Sequence, residues 1–223
     1  MPPRAVIFDY GEVLCTPDPA AYRNLLALTG LEAAVFERFY WIDRRDYDLG
    51  LDGREYWSRF AAHAYLTFDA AKVAALIEND VLLWTHLSEP MLAWAAALRE
   101  AGIATAILSN MVPEVLRYMR QEFAWLGDFA QLTFSCELGI VKPDPQIYHY
   151  TCEKLRIAPA DALFLDDKPE NVRGAEAAGL AALRFTGIPQ LRADLAARGW
   201  LQNLPQPGAD EVSRSAGGTS PGA

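Results

Sequence analysis

Short apolar runs alternate with longer amphipathic stretches along most of the chain. The runs cover residues 5–8 (AVIF), 103–108 (IATAIL), 132–134 (LTF, the weakest), 162–165 (ALFL) and 180–185 (LAALRF). Their residues are apolar at successive positions, which suits strands of a parallel sheet buried on both faces. Helices fit the gaps. Ser88 is a candidate N-cap for a helix carrying Met91, Leu92, Ala95 and Leu98 and ending near Gly102. Pro113 suits the first turn of a helix to about Phe123, and Asp144-Pro145 the cap and first turn of one to about Leu155. A further helix is expected from Pro169 to Gly179.

Between the first strand and Ser88 the pattern turns wholly helical, with no convincing strand. Residues 20–28 form a candidate helix closed by Gly30, and residues 32–40 a second. Asp52-Gly53-Arg54-Glu55 reads as a capping-box start, and Asp69 opens a fourth helix. The expected organisation is therefore an α/β core, a Rossmann-like doubly wound parallel sheet formed by residues 1–15 and 88–204. A small all-helical cap domain, residues 16–87, is inserted after the first strand. Residues 205–223, rich in Gly, Ser, Pro and Ala without periodicity, are expected to be disordered. No internal repeat is visible.

Composition narrows the function. Over half of the 223 residues are hydrophobic, enough for a sizeable core without disulfides. Cys15, Cys136 and Cys152 are odd in number and show no CxxC spacing, so neither a disulfide framework nor a zinc site is expected. No segment approaches the roughly 20 apolar residues that cross a bilayer, and the first residues lack a signal-peptide layout. A cytoplasmic, membrane-free protein is expected. The net charge of −9 leaves no basic face for nucleic acid. An anionic substrate would then need local positive charge from a metal, a lysine or a helix N-terminus.

Polar residues suited to chemistry stand at the ends of the strong strands: Asp9 after the first, Ser109-Asn110 after the second, Asp166-Asp167 after the fourth. In open α/β sheets ligands bind at the carboxyl ends of the strands. Lys142, in the loop before the Asp144-Pro145 helix, would bring a cation to the same mouth. Singly, each feature is ordinary turn or cap chemistry. Four in this order at these strand ends reverse that reading.

With the residues 6–14 (VIFDYGEVL), 107–110 (ILSN), 139–145 (GIVKPDP) and 163–171 (LFLDDKPEN), the chain resembles the haloacid dehalogenase superfamily up to about Leu201. The helical insertion is similar to that family's cap of the first type. The resemblance implies a Mg²⁺-dependent hydrolase acting on a small phosphorylated metabolite. Asp9 would be the nucleophile that forms an aspartyl-phosphate, and Lys142 would neutralise charge between it and the phosphate. Ser109 and the backbone amide of Asn110, with Lys142, would hold the phosphoryl oxygens. The metal ligands would be Asp9, the Gly11 carbonyl and Asp167, with Asp166 reaching the ion through a bound water and Asn171 behind them, a hard-oxygen set that suits Mg²⁺.

One position departs from the family's phosphatase pattern. The second Asp of Asp-x-Asp, which protonates the leaving group, is Gly11 here. General acid–base help is worth about 10² to 10⁴ in rate. The same Asp-x-Gly-x-Val pattern occurs in a subgroup resembling bacterial sugar-1-phosphate phosphatases. Good leaving groups are therefore expected: glycosyl 1-phosphates, acyl phosphates or aryl phosphates. Glu12 is the nearby candidate acid, although a solvent-facing loop carboxylate is its plainer reading. The alternatives are a 2-haloacid dehalogenase, which would leave Asp166-Asp167 unneutralised beside the nucleophile, and a non-catalytic binding protein of the same fold. His63, His86 and His149 lack ligand spacing. Of the aromatic residues in the insertion most are expected to be core, with Trp41 or Tyr47 the candidates to face a substrate.

Overall fold

The computed structural model describes residues 2–208. The chain enters through β1 (Ala5–Phe8) and the two-residue β2 (Cys15–Thr16). Five helices follow: α1 (Pro19–Thr29), α2 (Ala33–Tyr40), α3 (Arg44–Asp48), α4 (Gly53–His63) and α5 (Ala70–Leu83). β3 (His86–Leu87) then pairs antiparallel with β2. Alternation begins there with α6 (Glu89–Glu100), β4 (Ala104–Ser109), α7 (Pro113–Glu122), β5 (Gln131–Phe134) and the one-turn α8 (Ser135–Leu138). It ends with α9 (Pro145–Leu155), β6 (Ala162–Asp166), α10 (Pro169–Ala177), β7 (Ala181–Arg184) and α11 (Ile188–Ala197).

The main sheet is parallel throughout, in the order β5-β4-β1-β6-β7. Its alternating side chains divide between two hydrophobic clusters, because successive residues of a strand point to opposite faces. Val6, Phe8, Ile107, Leu163 and Leu165 pack with α6, α7 and α11 through Trp94, Leu98, Met119 and Leu195. Ile7, Ala106, Leu108 and Phe164 pack with α9 and α10 through Ile147, Tyr148 and Ala175. This is the doubly wound α/β architecture expected from the apolar runs. Since β4 and β6 flank β1, the chain reverses direction beside β1, and a crevice opens at the carboxyl ends of these three strands.

Local signals set most boundaries. Asp18, Asp52, Asp69 and Asp144 each accept a backbone N–H of the following helix's first turn. Gly30 closes α1 at φ 70°, a left-handed conformation that glycine adopts without strain. Other expectations need correction. The segment between β1 and Ser88 does contain strands, β2 and β3, too short to show alternation. Ser88 is the N-cap of α6 but makes no side-chain cap bond. Glu55 does not reach back to complete a capping box; it pairs with Arg59 one turn on, at 2.9 Å. The helices α3, α8 and α11 were not anticipated. Residues 205–208 are held: Trp94 Nε1 donates to Pro205 O at 2.7 Å, and Arg192 to Pro207 O and Gly208 O at 2.6 Å. The rest of the expected disordered tail lies outside the described residues. No helix among the described residues is long and apolar enough to cross a membrane.

Candidate active site

β1, β4 and β6 end at adjacent points, which brings Asp9, Ser109 and Asp166 together. Lys142 enters from the loop before α9. Its Nζ lies 2.8 Å from Asp9 Oδ1 and 2.6 Å from Asp166 Oδ2, and donates to Leu108 O at 3.1 Å. All three side chains are buried. A lysine so placed has spent its three donors on fixed partners, so the ammonium cannot swing away.

The loop that carries Lys142 is fixed by Asn110. The Asn110 side chain accepts from Lys142 N at 2.8 Å and donates to Lys142 O at 3.1 Å. Its amide group is thus anchored to the Lys142 backbone, and its backbone N–H stays free of side-chain partners among the described residues. The loop contains a cis Lys142–Pro143 bond and packs tightly on α10. A Cβ on Gly174 would come within 2.7 Å of Pro143 Cβ, so only glycine permits this approach. Asp166 is held from several sides besides Lys142. Asn171 Nδ2 reaches both of its oxygens at 3.0 Å and Lys168 N donates to Oδ1 at 2.8 Å. Asp167 is only half-buried and lines the cavity with Asp9 and Gly11.

Electrostatics follow from this crowding. Burial pushes the Asp9 carboxyl up from 3.8 to about 7; Lys142 opposes the rise and Asp166 adds to it. Burial would lower the Lys142 ammonium, but Asp166 and Asp9 outweigh it and raise it. Burial, with Asp166 adding, also raises Asp167. A carboxyl raised in the folded state binds more protons there than in the unfolded chain. Its contribution to stability is present at low pH and is lost as pH climbs from about 4 to about 7. The metal-free protein should therefore melt higher near pH 5.5 than near pH 8. A divalent cation, which needs the ionised carboxylates, should stabilise it more at the higher pH. Thermal denaturation across that range, with EDTA or Mg²⁺, measures both.

The residues fit a divalent cation. Asp9, Asp166 and Asp167 each offer a carboxylate oxygen, and these oxygens lie within 4.8 Å of one another. Hard oxygens in that number suit Mg²⁺, although the bonds to Asn171, Lys168 and Lys142 already occupy much of Asp166. Asp9 and Asp167 face a cavity of about 150 Å³ that Ser109, Asn110 and Lys142 also line, and Asp166 lies fully buried behind them. All the residues singled out at the strand ends meet here.

Several cavity residues carried no sequence signal. Arg44 and Asp48 come from α3, and Trp84 follows α5. Arg44 is buried, 3.3 Å from Asp80 and 2.6 Å from Tyr40 Oη. Burial pushes Asp48 up to about 6 despite Arg44. Ser135 joins the two halves of the site, accepting from Met111 N at 2.9 Å and donating to Asp48 O at 2.5 Å. A spaced pattern of charged residues on a short helix gives no hint that it faces a distant strand end. Trp41 lines the cavity and is 46 % exposed, whereas Tyr47 is fully buried and stacks on Tyr56 with centroids 4.3 Å apart. Tyr47 is therefore core. Glu12 is exposed, at φ 58°, and also lines the cavity. His63 pairs with Asp43, and His149 with the Ala178 carbonyl, away from the site.

Comparison with known proteins adds the lineage. Residues 3–179 match the family model of haloacid dehalogenase-like hydrolases. The chain is 35 % identical over 92 residues to a phosphoserine phosphatase of Thermus thermophilus, covering 41 % of this chain and 37 % of that one. It is 33 % identical over 96 residues to an (S)-2-haloacid dehalogenase of Pseudomonas sp., covering 41 % and 40 %. The chain thus matches well under half the length of these curated relatives. Among solved structures, a haloacid dehalogenase family enzyme of Bacteroides thetaiotaomicron, in complex with magnesium and inorganic phosphate, superposes with a TM-score of 0.65 at 18 % identity. That match covers 81 % of this chain and 92 % of the other, a likeness of fold.

Proposed function

The chain belongs to the haloacid dehalogenase-like hydrolases, and on that premise we propose that it is a Mg²⁺-dependent phosphatase acting on a small phosphorylated metabolite. One observation carries the reading. Three carboxylates, Asp9, Asp166 and Asp167, converge within 4.8 Å against one buried ammonium, that of Lys142. A site with this negative excess would repel a phosphate unless a divalent cation joined it.

Asp9, the Gly11 carbonyl and Asp167 would hold the cation, with Asp166 beside them. When bound, it supplies electrostatic stabilisation of the phosphoryl oxygens. Asp9 attacks phosphorus and forms an aspartyl-phosphate, which water then hydrolyses. Lys142 stays between Asp9 and Asp166 and faces the charge that develops on the phosphoryl group. Ser109 and the Asn110 backbone N–H hold phosphoryl oxygens. Residues 16–87 act as a cap over a core of residues 1–15 and 88–204. Ser135 ties the two through Asp48 and Met111. With Gly11 in the acid's place, substrates with good leaving groups are favoured, sugar 1-phosphates among them.

Phosphate release from p-nitrophenyl phosphate, with Mg²⁺ or EDTA, tests this. EDTA should abolish turnover and added Mg²⁺ restore it. Halide release from 2-chloropropionate, indifferent to EDTA and without phosphatase activity, would overturn the reading in favour of a dehalogenase.

A further inference from the structure

Resting on the phosphatase reading, we propose that the leaving group is aromatic and lies between Trp84 and Trp41, in a second cavity that adjoins the reaction site. This cavity, of about 360 Å³, shares Glu12, Trp41 and Trp84 with the first. The rings of Tyr22, Phe36 and Tyr40 and the Leu83 side chain complete its apolar walls.

The key contact is at Gly11. A Cβ built there would touch Trp84 Cζ3 at 3.4 Å and Cε3 at 3.8 Å. An acidic side chain carried further in that direction meets the indole. Trp84 is held at two points: its indole Nε1 donates to Tyr40 Oη at 3.3 Å, and its backbone carbonyl accepts from Tyr10 Oη at 2.6 Å. Position 11 thus carries no acid, and an aromatic ring lines the space beside it. The two facts have one chemical solution. A phenolate, with a conjugate acid of pKa near 10 like tyrosine, departs without a general acid, and its ring stacks on the indole beside Gly11.

Trp41 supplies the opposing face. It is half-exposed, and Lys168 Nζ sits 5.0 Å from its ring, anchoring it to the loop after β6. Charge sets the limits of the leaving group. Glu12 and Glu37 both border the second cavity, Glu37 accepting from Tyr22 Oη at 2.8 Å. A second anionic group is disfavoured there, so the ring is neutral or carries a cation.

The step balances without further reagents. An Asp9 oxygen forms a bond to phosphorus while the phosphorus–aryl oxygen bond breaks. The bonding pair leaves with the aryl oxygen as phenolate, which takes a proton from water. Water then attacks phosphorus, giving phosphate and returning the Asp9 carboxylate.

The test compares kcat/KM for phenyl phosphate and 1-naphthyl phosphate, with glucose 1-phosphate alongside; 1-naphthol is somewhat the stronger acid, a difference that cancels when the ratio is compared between proteins. Wild type, Trp84→Leu and Trp41→Ala are assayed with Mg²⁺. Trp41→Ala alters an exposed ring, so it remains informative if Trp84→Leu fails to fold. Wild type should favour the naphthyl ester, and both aryl esters over glucose 1-phosphate. Each variant should lower the naphthyl-to-phenyl ratio by about three- to tenfold, the size of a lost aromatic contact, while inhibition by inorganic phosphate stays unchanged. A ratio equal in all three proteins, or faster turnover of glucose 1-phosphate, overturns this inference and leaves the phosphatase reading standing. Absence of any phosphate release that depends on Asp9 overturns both.

Discussion

Lys142→Met is expected to lower kcat by about 10²–10³-fold, the cost of removing one fixed charge partner from a developing oxyanion, and to destabilise the fold as well. The ammonium lies 2.8 Å from Asp9 and 2.6 Å from Asp166, and all three groups are buried. Methionine fills the volume but leaves two carboxylates facing each other without a counter-charge. Breaking a buried pair in this way costs about 3–5 kcal/mol. Denaturant unfolding of the metal-free proteins reads the loss directly. A divalent cation can supply the missing counter-charge once Lys142 is gone, so added Mg²⁺ should recover part of the stability and little of the rate. A variant with wild-type kcat would show that the charge between Asp9 and Asp166 has no part in turnover.

Asp9→Asn should separate activity from stability in the opposite sense. Loss of the nucleophile is expected to reduce kcat by about 10⁴-fold or more, as removal of an attacking group does in other covalent mechanisms. The metal-free protein should melt no lower than wild type. Burial pushes the Asp9 carboxyl up, and Asp166 adds to that rise; an amide of the same shape carries no such burden, and Lys142 keeps Asp166 as a partner at 2.6 Å. The same substitution should weaken Mg²⁺ stabilisation near pH 8, because a carboxylate ligand has been lost. Parallel melting curves and phosphate-release assays check the split. A clear fall in melting temperature without metal would mean that the Asp9–Lys142 pair is a net stabiliser.

The strands β1, β4, β5, β6 and β7 could be read along the chain to within a residue or two, as could the Asp caps of α4, α5 and α9. Each depends on neighbours close in sequence: an apolar run, or a carboxylate two or three residues before the N–H it accepts. The strand-end residues Asp9, Ser109, Asp166 and Asp167 were legible for the same reason, since a parallel sheet puts every strand's carboxyl end on one edge. Less local features were not. β2 and β3 are two residues each and exist only because residues 15–16 and 86–87 meet at the base of the helical segment. α11 has Pro189 in its first turn, but its N-cap, Gly187, offers no side-chain bond to mark the start.

The sequence by itself determined the doubly wound sheet, the edge on which chemistry sits and the carboxylates and lysine that stand there, because these follow from local periodicity and from a rule common to all parallel sheets. Tertiary structure alone decided how each group is used. It turned the Asn110 side chain away from ligand and onto the Lys142 backbone. It enclosed Tyr47 while leaving Trp41 at the cavity, and it brought Arg44 and Asp48 from α3 to the same space. It also set the Trp84 ring 3.4 Å from the place where Gly11 lacks a side chain. Residues 11 and 84 meet only after five helices have packed between them. That packing energy is spread over many apolar contacts, and no short stretch of sequence records which two of those contacts will face a substrate.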